Sequence, residues 1–289
     1  MKLQKANQSK FEMSKSLYSI LFPTDFSTVS NQVLSDAIDL ACRLDAQLYL
    51  FHAYQMPMAV TQGTGTFHPP LIDYEKIAYQ NLRELERSFP DLQKVRYSMV
   101  TKPGPFPGAI EMLLETNSVD LIVMGTSGAE GLKELMIGTN TSDVANELNI
   151  PVLAIPEGAS VSSIGKIAFA YDHEGIKDTD KLNILRDLVS AYNAELHILH
   201  ISESMEPQQD ANPKSLDAIN KKFLNAKCYH DIHLSDDVEH GIMQYADNNS
   251  IDLIAVTPRE HSFIEKLFRK SVTEKLTFHS DVPLLILKE

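Results

Sequence analysis

Three glycines carry the strongest chemical suggestion in the chain: Gly125, Gly128 and Gly138, the last followed by Thr139. They come after the apolar run "DLIVM", lead into "TNTS", and are closed by a second apolar run, "IPVLAIP". A residue without Cβ can turn sharply at a strand end and let backbone N–H groups approach a ligand closely. A helix opening at Gly138-Thr139 adds unpaired N–H groups and the positive end of its dipole, which together suit an anion. Backbone amides and hydroxyls, with no lysine in that first turn, read as a cradle for nucleotide phosphates.

The other phosphate and nucleophile motifs do not fit. No GxxxxGK[ST] is present, and Gly63 and Gly65 lack a third glycine. "GTSGA" misses the nucleophile elbow because Ala129 stands at its last position, and Ser127 has no partnered base in the motif. Asp25 closes the apolar run "SILFPTD" and could anchor a ligand or cap the helix after it. His52 and His200 end two similar apolar runs, which favours packing or hydrogen bonding over catalysis. In "CYHDIH", Cys228 and His230 share one strand face while His233 points the other way, so no metal site is expected there.

Composition narrows the partners. Across 289 residues the net charge is −13, and no basic block interrupts it. That argues against nucleic-acid and anionic-membrane binding, since phosphate backbones demand clustered Lys and Arg. No apolar run approaches the roughly eighteen residues needed to span a bilayer. The N-terminus is polar and lysine-bearing, and the two cysteines lie in different halves, so the expected location is cytoplasmic.

The elements that must hold these residues occur twice. "SILFPTDFS" is echoed by "KIAFAYDHE", and "LDAQLYLFHA" by "YNAELHILHI". "DLIVMG…NIPVLAIP" is echoed by "DLIAVT…SDVPLLILK" without a gap, pairing Asp120 with Asp252 and Pro151 with Pro283. The expected organisation is a flexible tail over 1–16, a first domain over 17–157 and a second over 164–289. Tyr54 to Asp73 reads as a long loop. Short apolar strands at 19–22, 48–51, 95–100, 121–124 and 152–155 alternate with helical patterns, notably Val33, Leu34, Ala37, Ile38 and Ala41. Continuously apolar strands in such alternation mean a parallel sheet covered on both faces. The fold class is therefore α/β, with two tandem flavodoxin-like (Rossmann-like, HUP-type) domains, each a five-stranded parallel sheet flanked by helices. Ligands of such sheets bind outside the carboxyl ends of the strands, at the switch point.

The pattern G-x2-G-x9-G-[ST] after an apolar strand, with "FPTDFS", "LFHAY" and "IPVLAIP" in order, resembles the universal stress protein family, and the resemblance spans 18–289. It implies an adenine-nucleotide site for ATP, with Mg²⁺ as a companion ion. Pro23, Thr24 and Asp25 would line the adenine and ribose, with Asp25 as a buried carboxylate for the ribose hydroxyls. Ala53 would sit where the base packs, and Met124 and Gly125 would touch ribose and base. Gly128, Gly138, Thr139, Asn140 and Thr141 would cradle the phosphates. In the second copy Thr257, Glu260 and Lys270 replace the three glycines, so that copy is expected to be degenerate. The implied function is a stress-response regulatory protein that binds ATP. A slow ATPase or nucleotidyl transferase, or a ligand-free scaffold, are the alternatives. The resemblance further implies an intrachain pseudo-dimer through antiparallel last strands, 152–155 against 283–287. Protein partners are unspecified and homodimerisation is open.

Overall fold

The structure is a computed structural model that describes residues 18–56, 61–62, 65–66, 73–126, 139–171, 178–202, 213–258 and 282–288. The tail, Gly128, Gly138, Glu260 and Lys270 lie outside the described residues. In chain order the first half comprises β1 (Ser19–Pro23), α1 (Thr28–Arg43), β2 (Gln47–Tyr54), β3 (Thr61–Gln62), β4 (Gly65–Thr66) and α2 (Tyr74–Ser88). It continues through β5 (Arg96–Pro103), α3 (Phe106–Leu114), β6 (Leu121–Thr126), α4 (Thr139–Glu147) and β7 (Val152–Pro156). The second half has β8 (Lys166–Ala170), α5 (Asn183–Tyr192), β9 (Glu195–Ser202), α6 (Pro213–Lys222) and β10 (Lys227–Leu234). It ends with α7 (Val238–Asn249), β11 (Leu253–Val256) and β12 (Leu284–Ile286).

The helices begin and end where the chemistry of their caps dictates. Ser27 accepts from the Ser30 N–H, Asp73 from Lys76 and Asp237 from His240, satisfying donors that the first helical turn leaves open. Asn193 and Ser250 stop α5 and α7 in left-handed conformations. The expected loop from Tyr54 to Asp73 contains the small antiparallel pair β3–β4.

Ten strands form one sheet in the order β10-β9-β8-β11-β12-β7-β6-β1-β2-β5. Each half reads 3-2-1-4-5 in its own strands, the Rossmann order without its sixth strand, and its switch point falls between the first and fourth strands. Leu34 and Ala37 of α1, Leu82 of α2 and Leu185 of α5 pack on one face of the sheet. Ile110 of α3, Val144 of α4 and Ile242 of α7 pack on the other. Every neighbouring pair in the sheet is parallel except β7 and β12, which run antiparallel with Leu284 opposite Ala154 and Ile286 opposite Val152. The last strands thus join the halves within one chain.

The repeated aspartates have a scaffold role. Asp120 Oδ2 accepts from the Ser19 N–H at 2.7 Å, and Asp252 Oδ2 accepts from Gly165 and Lys166 at 2.8 and 2.9 Å. Each carboxylate pins the start of its half's first strand, at the edge remote from the switch point. The connection between halves is stapled to α1: buried Asp36 accepts from the Ser160 hydroxyl at 2.5 Å and the Val161 N–H at 3.0 Å. Arg43 donates to the Ser162 carbonyl at 3.0 Å and lies over the Tyr192 ring of α5.

Candidate functional site at the first switch point

Pro23 shapes this site through the donor it lacks. In β1 the backbone groups of Ser19, Leu21 and Pro23 face β6, while those of Tyr18 and Thr24 face β2 (Gln47 N–H to Tyr18 O, 2.9 Å; Thr24 N–H to Phe51 O, 2.8 Å). The β1–β6 register covers Ile20–Leu121 and Leu21–Ile122 and stops. The next donor toward β6 would be residue 23, and a proline has no N–H to give. In the second half Ala170 stands at the equivalent place, and the register runs over four pairs to Val256–Ala170. The β1–β6 hydrogen-bond ladder therefore stops short of the strands' carboxyl ends, while the β8–β11 ladder runs on to Ala170.

The turn after β1 is fixed by its own side chains. The buried Thr24 hydroxyl accepts from the Phe26 N–H at 3.0 Å and from the Ser30 hydroxyl at 2.9 Å. Its carbonyl accepts from His52 Nδ1 at 2.8 Å, which requires that nitrogen to carry the proton. Phe26 has φ +64°, a left-handed conformation rare for a bulky residue, and its ring rests on His52 with centroids 4.5 Å apart.

Two expectations need correcting. Asp25 is exposed rather than buried, because the chain turns outward to start α1. One carboxylate oxygen already accepts from the Ser27 N–H at 3.0 Å, and Ser27, not Asp25, is the helix cap. Gly125 is small for a packing reason. A Cβ there would sit 3.1 Å from Val29 Cγ1 and 3.3 Å from Val33 Cγ2, so the missing side chain lets α1 lie close on β6.

The structure brings Pro23, Thr24, Asp25, Ala53, Met124 and Gly125 to one edge of the sheet, at or just past the carboxyl ends of β1, β2 and β6. Met124 is buried against the face carrying α3 and α4, leaving the backbone of its strand at the edge. Thr139 opens α4, Asn140 is exposed and Thr141 is buried within the first turn. Gly128 and Gly138 fall outside the described residues. In the second half Tyr171 stands where Thr24 does, with its N–H on Leu199 O at 3.3 Å and its ring 6.0 Å from that of His200. Burial pushes the Tyr171 phenol up. Sequence reasoning missed the Ser27–Ser30–Thr24 network. For His52 it favoured packing or hydrogen bonding, from the recurrence of a histidine at the end of each half's second apolar run, and the structure has both, without the sequence naming the partners Thr24 and Phe26.

Two copies of this arrangement agree with comparison to known proteins. The model of the universal stress protein family matches residues 18–156 and again 164–288. The chain belongs to the universal stress protein family. A universal stress protein of Methanocaldococcus jannaschii is 26% identical over 139 residues, covering 47% of this chain and 80% of that protein. A universal stress protein of Synechocystis is 26% identical over 169 residues, 57% of each. The crystal structure of a universal stress protein from Archaeoglobus fulgidus superposes with a TM-score of 0.65 over 94% of this chain and 96% of that one, at 18% identity. At that identity the likeness speaks for the fold alone. Among the described residues of this universal stress protein, no helix is long and apolar enough to cross a membrane.

Proposed function

We propose that the first half binds an adenine nucleotide, ATP with Mg²⁺, and that occupancy regulates contacts with protein partners under stress. The observation that carries this reading is the β1–β6 ladder that ends at Leu21–Ile122, before Pro23, in the half with the glycine pattern, where the other half's ladder runs on. The site fits such a ligand. Backbone groups alternate sides along a strand. Phe51 O faces β1, so the Ala53 amide and carbonyl also face the switch point, beyond the end of the β1–β2 register at Pro23–Phe51. An adenine edge has the donors and acceptors to meet them. Asp25 keeps one oxygen outside its turn bond for a ribose hydroxyl, and α4 presents its N-terminal N–H groups to phosphates. Gly128 and Gly138 complete the phosphate cradle in this reading. The second half, with Tyr171 and Thr257 at the corresponding edge, serves as scaffold.

Calorimetry with ATP and Mg²⁺ tests the proposal. Wild-type protein should give saturable heat, and Gly138→Glu and Asp25→Ala should each weaken binding at least tenfold. Absence of heat with the wild type, or unaltered binding in Gly138→Glu, sinks the reading. Ligand at a hundred times its dissociation constant should also stabilise the fold by about 2.7 kcal/mol, visible as a raised Tm.

A further inference from the structure

The geometry points to His52 as a positioning residue that holds the first switch point in ligand-ready form, an inference resting on the nucleotide-binding reading above. In a parallel ladder, a residue that donates to one partner accepts from the partner two positions on. Thr24 donates to Phe51 O at 2.8 Å, so its carbonyl is the ladder acceptor for the Ala53 N–H. The register ends one residue earlier, at Pro23–Phe51. Among the described residues, the Thr24 carbonyl instead takes its hydrogen bond from His52 Nδ1 at 2.8 Å. The imidazole thus replaces the neighbouring backbone amide as donor. That exchange satisfies an otherwise unpaired carbonyl and leaves the Ala53 amide turned toward the switch point.

The same ring supports the adjoining turn. Phe26 packs on it at 4.5 Å while held at φ +64°, and the Phe26 carbonyl accepts from Asn31 Nδ2 at 3.4 Å. The side-chain contact, the carbonyl bonds and the left-handed backbone fall on Thr24 and Phe26, the two neighbours of Asp25. In the second half the equivalent His200 lies against the Tyr171 ring, with centroids 6.0 Å apart. The histidine is repeated there, while the turn residue it supports in the first half is not.

The test compares His52→Ala, His52→Gln and wild type for binding of ATP with Mg²⁺, alongside thermal melting. His52→Ala should weaken ATP binding at least fivefold. His52→Gln, which retains an N–H donor, should recover part of that loss at a similar Tm, a rescue that a simple packing role would not produce. Wild-type binding matched by His52→Ala overturns the positioning role while leaving the nucleotide reading intact. Failure of the wild type to bind ATP overturns both. Should His52→Ala not fold, the ¹⁵N spectrum of the wild-type imidazole decides. A proton fixed on Nδ1, with a shift on adding ATP, supports the role. A proton on Nε2 alone, or no response to ATP, overturns it.

Discussion

Single atoms decide the site, and some of them are atoms that are missing. Gly125 lacks a Cβ that would meet Val29 and Val33 at 3.1 and 3.3 Å. Gly125→Ala should therefore destabilise the protein without ligand by about 1–3 kcal/mol, as overpacking does. Urea unfolding of the ligand-free variant checks this, and an unchanged midpoint would leave the glycine without a packing role. Pro23 lacks an N–H. Pro23→Ala would supply a donor toward β6, as Ala170 does in the second half, and let the ladder close. ATP affinity should fall about tenfold while stability changes by no more than about 1 kcal/mol, since a new hydrogen bond offsets the lost rigidity of proline. Equal ATP affinity in the two proteins would remove Pro23 from the opening of the site. Types and spacing in the sequence were enough to find these residues, but not to say which way a missing atom points. A glycine read as room for a ligand proves to be room for a helix, and Asp25 lies in water because the turn carries it outward.

Elements were legible where periodicity is strong. The apolar strands and the α1 stripe of Val33, Leu34, Ala37 and Ile38 fall where the pattern places them, and the buried faces agree. The link between elements was not legible, because it runs through a polar residue on an otherwise apolar stripe. Asp36 is buried in α1 and accepts from Ser160 and Val161, more than a hundred positions away. Burial holds its carboxyl above the ordinary range, opposed by the hydrogen bonds it accepts. A folded-state value raised in this way means that the native protein binds the proton more tightly than the unfolded chain. The contribution is then fully present below the ordinary carboxyl value and is lost as pH rises through the shifted one. Asp36→Asn keeps an acceptor for Val161 and removes the charge. Its stability relative to wild type should therefore improve as pH rises from about 4 to about 7. Asp36→Leu leaves the Val161 N–H and the Ser160 hydroxyl without their acceptor and should cost about 1–3 kcal/mol. Urea titrations of the three proteins across that pH range read both effects, and parallel pH curves for wild type and Asp36→Asn would refute the assignment.

On the scale of the whole molecule, the halves differ in chemistry and share one sheet. Two unpaired strand edges would invite association with other chains, and here β7 and β12 cover each other. Leu285 lies opposite Leu153 across that junction, and both are buried. Lys288 reaches back to donate to the Ala145 carbonyl in α4, so the end of the second half also touches the helix that would cradle phosphates in the first. A half whose β8–β11 ladder runs on to Ala170 then has a clear physical use: it completes the sheet of its partner. That the halves repeat was plain from the sequence. That they share one sheet came only from the family resemblance, because it depends on strand order rather than on local pattern. Leu285→Ala should cost about 2–5 kcal/mol, the range for truncating a buried leucine. Because the junction belongs to both halves, hydrogen exchange should quicken in β6 and β11 together. Exchange that quickens in β11 while β6 keeps its protection would show that the halves fold independently, and the scaffold role of the second half would fall with it.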